Sequence, residues 1–335
     1  MSRKVKILLI RFSSLGDVTQ CLSVPSALKQ IFPEAEVHWI VREDLAALLE
    51  NHPAISKVWK FPRSAGFRGL LQLADELKAQ GFTHIYDAHN NLRSRIISSR
   101  VKTSGVQFLR KSQKRWWRFL LFQWRINKYP QPLSGQRDLV EPLKAWGGSG
   151  ISPDSPQIFP GADKYANAKS ILGSFENAIA LAPSAAFPLK RWPVEYWQEL
   201  VRLLPNEKFV ILGGPGEEFL NAISDVAPER VLNLAGRTDL GTSAAVVDLS
   251  KVLVSNDTGP LHLAEQRGKN CIALMGPAPF GFPSRPSTKI LQRNLSCRPC
   301  SKHGQGPCMN ADFQLCLRDI KPQEIISALQ EKGLV

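Results

Sequence analysis

The sequence predicts an α/β protein of two domains, each a parallel sheet covered by helices. Three observations predict it: the length, an alternation of short apolar runs with helix-like ones, and a structure-breaking stretch near the middle. A chain of 335 residues exceeds the usual single domain of roughly 100–200 residues. Residues 147–161 (GGSGISPDSPQIFPG) are dense in Gly, Pro and Ser and carry no periodicity, which marks a linker. The expected division is therefore 1–150 and 151–320. Residues 321–335 form a terminal helix, with packing back on the N-terminal domain as one course open to it.

In the first half, Val5–Ile10, Glu36–Val41, Val58–Phe61 and Thr83–Asp87 read as strands. Asp17–Phe32, Asp44–Asn51, Gly66–Gln80 and Asp138–Trp146 read as helices. The second half restarts with strands at Ala178–Leu181, Phe209–Gly213, Val231–Asn233, Val252–Ser255 and Cys271–Met275. Its helices are expected at Val194–Leu204, Glu217–Val226, Thr242–Asp248, Pro260–Gln266 and Pro322–Lys332. Strands that alternate with helices argue for parallel βαβ units. Two such halves predict a ligand cleft between them, at the carboxyl ends of the strands.

The apolar run Ile7–Ile10 is four residues long and is followed by Arg11. A secretory segment needs roughly 7–15 apolar residues, so this run reads as a buried strand. No stretch approaches the roughly 18–20 apolar residues of a membrane span, and a cytoplasmic location is expected. The six cysteines are then not a disulfide framework by default.

A net charge of +14 favours polyanionic partners. Its distribution narrows the choice. Between Asp87 and Asp138 there is no acidic residue, while Arg93, Arg95, Arg110, Lys111, Arg115, Arg118 and several further bases fall there. Lys111–Tyr129 interleaves these bases with Trp116, Trp117, Phe119, Phe122, Trp124 and Tyr129. Aromatics mixed with Lys and Arg suit an anionic membrane surface or a phosphorylated glycolipid clasped by arginines such as Arg115 and Arg118. A basic helix whose aromatics pack on the core is the plainer reading. Nucleic acid is not an expected partner, because no nucleic-acid module accompanies the segment.

Four loops carry candidate chemistry. Arg11-Phe-Ser-Ser-Leu-Gly-Asp17 follows the first strand, so Asp17 stands at a helix start as either a capping carboxylate or a general base. Ser13 and Ser14 are placed to position a ligand from the same loop. Ser255-Asn-Asp-Thr-Gly-Pro-Leu-His262 runs from a strand into a helix whose open N–H groups suit a diphosphate; Asp257, Thr258, Gly259 and His262 are the candidate contacts. Ser184–Pro193 brings Lys190 and Arg191 into a loop that can neutralise a departing diphosphate. Gly213-Gly-Pro-Gly-Glu-Glu218 is a glycine-rich strand-to-helix turn in which a carboxylate is placed for ribose hydroxyls. It lacks the Lys-Ser/Thr of a phosphate loop, which argues against ATPase-type chemistry.

Taken in order, Ser13-Ser-Leu-Gly-Asp17, Asn91-Leu-Arg-Ser94, Lys190-Arg-Trp-Pro193 with Trp197, Gly213-Gly214 and Asp257-Thr-Gly-Pro-Leu-His262 resemble glycosyltransferase family 9. So does Cys297-Arg-Pro-Cys300 with Cys308 and Cys316. The tail is similar to that of the second-heptosyltransferase branch of the family. The resemblance implies a GT-B fold, two Rossmann-like domains facing an interdomain cleft, and inverting, metal-independent transfer without a cofactor. It implies ADP-heptose as donor and the phosphorylated lipid A–core of lipopolysaccharide as acceptor, met at the inner face of the inner membrane. Asp17 would be the base, with Lys190, Asp257, Thr258, Gly259 and His262 on the donor. Either Glu217 or Glu218 would meet the ribose, and Asn91 and Arg93 would lie on the acceptor side. A transferase or epimerase for a different nucleotide sugar is the alternative.

Cys297, Cys300, Cys308 and Cys316 leave two readings open. Four clustered thiols can hold zinc. The seven-residue gaps do not repeat the paired spacing of zinc ribbons, so reduced structural cysteines compete. Cys21 and Cys271 sit in apolar surroundings and belong to the core.

Overall fold

A computed structural model describes residues 4–335. Its contacts divide the chain into two compact units. The first holds the chain through Arg115 together with Gly135–Phe159, and the second holds Trp116–Ser134 together with Pro160–Val335.

The first unit contains β1 (Lys6–Ile10), β2 (Glu36–Arg42), β3 (Lys57–Phe61), β4 (His84–Asp87) and β5 (Gln107–Arg110). They form one parallel sheet in the order β3-β2-β1-β4-β5. Helices cover both faces, so β1 is buried from Ile7 to Ile10 and reads as a continuous apolar run. Leu70, Leu73, Ala74 and Leu77 recur along helix Gly66–Lys78 at helical spacing and pack with Leu8, Ile10, Ile40 and Ile85. Such a stripe needs the sheet to be stable, since short helices in water are marginal.

The single helix expected over Asp17–Phe32 is two, Leu15–Cys21 and Ser23–Ile31. Pro25 has no N–H to donate to the carbonyl of Cys21, which breaks the ladder there. Two elements were not legible in the sequence, helix Leu92–Val101 and β5. The helix buries Ser94 and Ser98 beside Ile97 and Val101, so it lacks a clean apolar stripe.

The second unit contains β6 (Ile179–Ala182), β7 (Phe209–Ile211), β8 (Val231–Asn233), β9 (Val252–Asn256), β10 (Cys271–Met275) and β11 (Thr288–Gln292). Its parallel sheet runs β11-β10-β9-β6-β7-β8. Ile179, Leu181, Val252, Val254, Ile272 and Leu274 alternate into one core with Trp192, Trp197 and Leu200. Cys21 and Cys271 are fully buried in their units. Helix Ala162–Leu172 and β11 are further elements absent from the sequence reading.

Two expectations about the division change. The boundary falls at residue 159 rather than 150, and Trp116–Ser134 belongs with the second unit. Ring contacts explain the latter: Phe122 and Tyr129 both pack on Phe280, at centroid distances of 6.3 and 5.4 Å. The terminal helix, Pro322–Glu331, places Ile325, Ala328 and Leu329 in the second unit's core. Lys321 Nζ donates to Tyr196 Oη at 2.7 Å, and Trp192 Nε1 donates to the Ile320 carbonyl at 2.9 Å. These bonds hold the helix against Val194–Leu203.

Candidate active site

In each sheet the strand order reverses at one place, and there two loops diverge to opposite faces and leave a crevice at the strand ends. In the first sheet that place lies between β1 and β4, and in the second between β6 and β9. Most of the predicted site residues follow the strands at these two points, whereas Glu217 and Glu218 follow β7 and Arg115 and Arg118 follow β5. Ser13, Ser14 and Asp17 follow β1, and Asn91 and Arg93 follow β4. Lys190 follows β6, and Asp257 to His262 follow β9.

At the first point, Asp17 is the third residue of helix Leu15–Cys21 and its side chain is 51% exposed. Its Oδ2 accepts from Ser14 N–H at 3.3 Å and from Ser14 Oγ at 2.9 Å. Arg11 Nη2 lies 2.5 Å from the same oxygen. The capping role and the charged role are thus both realised. Desolvation pushes the carboxyl pKa up, but Arg11, the two Ser14 bonds and Lys111 together hold it below the ordinary aspartate value. Asp17 is therefore ionised at neutral pH.

Arg11 is buried and steadied from behind, since its Nη1 donates to the Ala88 carbonyl at 2.8 Å. Lys111 pairs with Asp138 at 2.6 Å, and Lys114 with the other oxygen of Asp138 at 2.7 Å. His89 completes the cluster. Burial first, then Arg11, pushes its pKa down to about 4 against the pull of Asp17 and Asp87, so the imidazole is neutral. Its ring packs edge-on against Phe12 at 5.8 Å.

Asn91 and Arg93 divide in role. Asn91 caps helix Leu92–Val101, and its Oδ1 accepts from Ser94 N–H at 2.9 Å. Arg93 is exposed on the first turn, where its charge acts on His89. Arg11, His89 and Lys111 are site residues that the sequence reading did not assign. Arg11 stood inside the quoted loop. His89 had a usable signal in its position, two residues past the end of β4.

At the second point, Lys190 Nζ and Asp257 Oδ2 form an ion pair at 2.5 Å with side chains 16% and 7% exposed. The pair closes the loop after β6 onto the end of β9. Asn256 reinforces it, because its Oδ1 accepts from Trp192 N–H at 3.1 Å and its Nδ2 donates to the Pro183 carbonyl at 2.6 Å. Helix Gly259–Arg267 starts beside this pair with Thr258 as N-cap and Pro near its first position. Among the described residues no side-chain bond from Thr258 caps the helix. Its first N–H groups and the positive end of its dipole can therefore take an anion. His262 is buried one turn inside.

The two candidate ribose acids separate. Glu217 folds back over the end of β7, and its Oε2 accepts from Gly214 N–H at 2.8 Å. Gly213 permits this, because a Cβ there would stand 2.6 Å from that oxygen. Glu218 is exposed.

The basic-aromatic segment contains helix Arg115–Trp124, whose buried residues are Leu120 and Leu121. Trp116, Phe119 and Trp124 are 62%, 44% and 61% exposed, so packing on the core does not account for them. Trp116 stacks on Phe119 at 5.3 Å, and Trp124 meets Phe119 edge-on at 5.7 Å. Arg115 is exposed and Arg118 half-buried. Among the described residues no helix is long and apolar enough to cross a membrane.

Two parallel α/β sheets, each with polar loops at its topological switch point and one with a cation at an open helix N-terminus, make up an architecture of the GT-B class. Residues 70–309 match the sequence profile of glycosyltransferase family 9 (heptosyltransferase), and the chain belongs to that family. It is 27% identical over 357 aligned positions to a lipooligosaccharide heptosyltransferase 2 of Haemophilus ducreyi, covering 98% of this chain and 99% of that one. A crystal structure of a family 9 glycosyltransferase from Veillonella parvula superposes with a TM-score of 0.80 at 20% identity, over 100% and 98% of the two chains. The Escherichia coli ADP-heptose heptosyltransferase II superposes with a TM-score of 0.74 at 21% identity, over 98% of each. The protein is an enzyme, a glycosyltransferase of heptosyltransferase type.

Proposed function

We propose that the chain transfers heptose from ADP-heptose, with inversion, to the phosphorylated inner core of lipopolysaccharide. The observation that carries this reading is the buried Lys190–Asp257 pair beside the open N-terminus of helix Gly259–Arg267. The donor diphosphate lies against Lys190, Thr258 and Gly259. There the ammonium group and the backbone N–H groups stabilise the charge that grows as ADP leaves. Neither a metal ion nor another cofactor is required for that step. Asp257 holds the ammonium in place, His262 borders the sugar, and Glu217 rather than Glu218 receives the ribose hydroxyls.

The first unit, together with segment Trp116–Ser134 of the second, supplies the acceptor side. Asp17 takes the proton of the attacking hydroxyl as that oxygen bonds to the anomeric carbon from the face opposite the diphosphate. Ser13 and Ser14 orient the hydroxyl, and Arg11 keeps Asp17 ionised. Arg93, Arg115 and Arg118 meet the phosphates of the lipid A–core, with Asn91 holding the helix that carries Arg93. The exposed rings of helix Arg115–Trp124 rest in the headgroup layer of the inner membrane's cytoplasmic face, beside bases that each add about 1 kcal/mol of attraction to an anionic surface.

The test is ADP release and product mass with ADP-heptose and a truncated, phosphorylated core acceptor. Acceptor-dependent release and a heptose adduct of inverted anomeric configuration are expected. Conversion of the nucleotide sugar without acceptor would assign an epimerase instead, and turnover only with another sugar donor would replace heptose. For the surface, charge reversal at Arg115 and Arg118 should weaken binding to anionic vesicles and acceptor while leaving ADP binding intact. Equal loss of both would remove the segment from the acceptor side.

A further inference from the structure

Among the described residues eleven large apolar side chains are exposed, and seven of them stand in two short segments. Residues 116–126 hold five, with Trp116, Phe119 and Trp124 among them. The other two, Met309 and Phe313, are 61% and 60% exposed. They lie in the stretch between Gln292 and Leu315, which forms neither helix nor strand. Exposed apolar side chains scattered singly need no explanation, but gathered ones mark a contact surface.

The two segments are tied together within the second unit. Arg125 Nη1 donates to the Pro299 carbonyl. The next residue, Cys300, takes a bond at its sulfur from the Met309 backbone N–H, and Asn310 Nδ2 donates to Cys297 Sγ at 3.4 Å. Met309 thus lies across Pro299-Cys300 from the end of helix Arg115–Trp124.

The loop's other side is fixed on the segment that carries Lys190. Gln314 N–H donates to Cys308 Sγ at 3.1 Å, while Gln314 Nε2 donates to the carbonyls of Pro188, Leu189 and Arg191 at 3.3, 3.1 and 2.8 Å. Gly304, at φ +82°, lies so close that a Cβ would stand 2.7 Å from Lys190 Cγ. The loop is therefore anchored, and its two large apolar side chains are left in solvent. A zinc ion does not account for the loop: among the described residues no group of three or more His, Cys, Asp or Glu is placed to hold a metal, and burial pushes the Cys316 thiol up to about 11.

Charge names the occupant. No acidic residue lies between Asp87 and Asp138, and none lies between Glu265 and Asp312. Some bases of the second stretch are paired elsewhere, as Arg293 is with Asp319 and Glu324, but Arg125, Lys128 and Lys302 are exposed. Asp312 is the loop's one carboxylate. A second copy of the chain would bring the same positive excess and be repelled, whereas an anionic bilayer is complementary to it.

We propose that the loop carrying Met309 and Phe313 docks on an anionic phospholipid bilayer beside helix Arg115–Trp124, so that the second unit meets the membrane at two points. The proposal rests on the membrane placement given above for that helix. Met309 and Phe313 enter the headgroup boundary while the neighbouring cations stay among the phosphates. Once the helix is on the surface the loop's contact is intramolecular, so it multiplies the affinity of the first.

The test is co-sedimentation of the full chain with vesicles of mixed phosphatidylglycerol and phosphatidylcholine, and with phosphatidylcholine alone. Wild type is expected on the mixed vesicles and not on the neutral ones. Combining Met309→Ser with Phe313→Ser should lower the partition coefficient about tenfold, and Asp312→Lys should raise it. Leu203→Ser removes an exposed apolar side chain outside both segments and should change nothing. Should the double variant fail to fold, Asp312→Lys decides alone, and unchanged binding would overturn the proposal. A double variant that binds like wild type, while Trp124→Ser comes off the vesicles, would remove the loop and leave the helix on the membrane. Wild type that ignores the mixed vesicles, or binds both kinds equally, would sink the placement of loop and helix together. A dimer seen by light scattering and lost in the double variant would give the surface to a second copy instead. None of these readouts involves sugar transfer, so the transferase reading stands or falls separately.

Discussion

Asp17→Asn is the sharpest perturbation of the proposed chemistry, because it keeps the shape and removes the charge. Loss of a general base typically lowers the rate by about 10²–10⁴, or ~2.7–5.4 kcal/mol of transition-state stabilisation. The stability change works out far smaller. The Asp17 side chain is half exposed, so after solvent screening its pair with Arg11 contributes no more than about 1 kcal/mol. A carboxylate in the first helical turn adds ~0.3–1 kcal/mol. Arg11 keeps its bond to the Ala88 carbonyl and is not left wholly unpaired. The variant should therefore stay folded, with Tm lowered by roughly 2–4 °C for each kcal/mol lost. Asp17 belongs to the first unit and the residues proposed to bind ADP to the second, so ADP affinity measured by calorimetry should be unchanged. Steady-state ADP release should show kcat reduced at least a hundredfold. A kcat within tenfold of wild type, in a folded variant that binds ADP normally, would remove Asp17 from the proton-transfer step.

Four further outcomes follow from the same geometry. The acid limb of kcat/KM should lie below the ordinary aspartate value of about 3.9, because Arg11, the Ser14 bonds and Lys111 outweigh desolvation at Asp17; a limb midpoint near pH 6 would assign the base elsewhere. Glu217→Gln should raise the donor KM while Glu218→Gln leaves it unchanged, and Gly213→Ala should act like the former by displacing the carboxylate; equal effects of the two glutamate variants would reject the distinction. Gln314→Ala strips three carbonyls of their shared donor and should raise the donor KM more than it lowers kcat, a split that a purely global loss of stability would not produce.

The last outcome concerns folding. His38 and His89 are each pushed down to about 4, chiefly by burial, against an unfolded value of about 6.5. Between those pH values the unfolded chain binds protons that the folded one refuses, so stability falls as pH drops, by up to about 1.4 kcal/mol per pH unit for each histidine. Urea midpoints at pH 7 and pH 5 measure it, and equal midpoints would contradict the buried, neutral state of these rings.

Much of the architecture was legible because it is written locally. Buried parallel strands such as Cys271–Met275 are short continuous apolar runs, and helix Gly66–Lys78 carries an unbroken stripe. The loops bearing Asp17 and Asp257 follow strands directly and open helices with small or polar residues, so their placement at strand ends needed no tertiary information. Elements without such a pattern stayed hidden. Helix Leu92–Val101 buries serines, and β11 is an edge strand with no fully buried residue.

By itself, then, the sequence determined the two α/β units, the strand-end loops that carry the candidate site residues, and the family. Tertiary structure decided which distant charges meet. Arg11 and Lys111 act on one carboxylate because β1 and β5 flank β4, and strand order is not contained in any local period. It also decided that Trp116–Ser134 joins the second unit, since the packing of Phe122 and Tyr129 on Phe280 spans more than a hundred residues of chain. Local periodicity records which face of an element is apolar; only the packed chain fixes what that face touches.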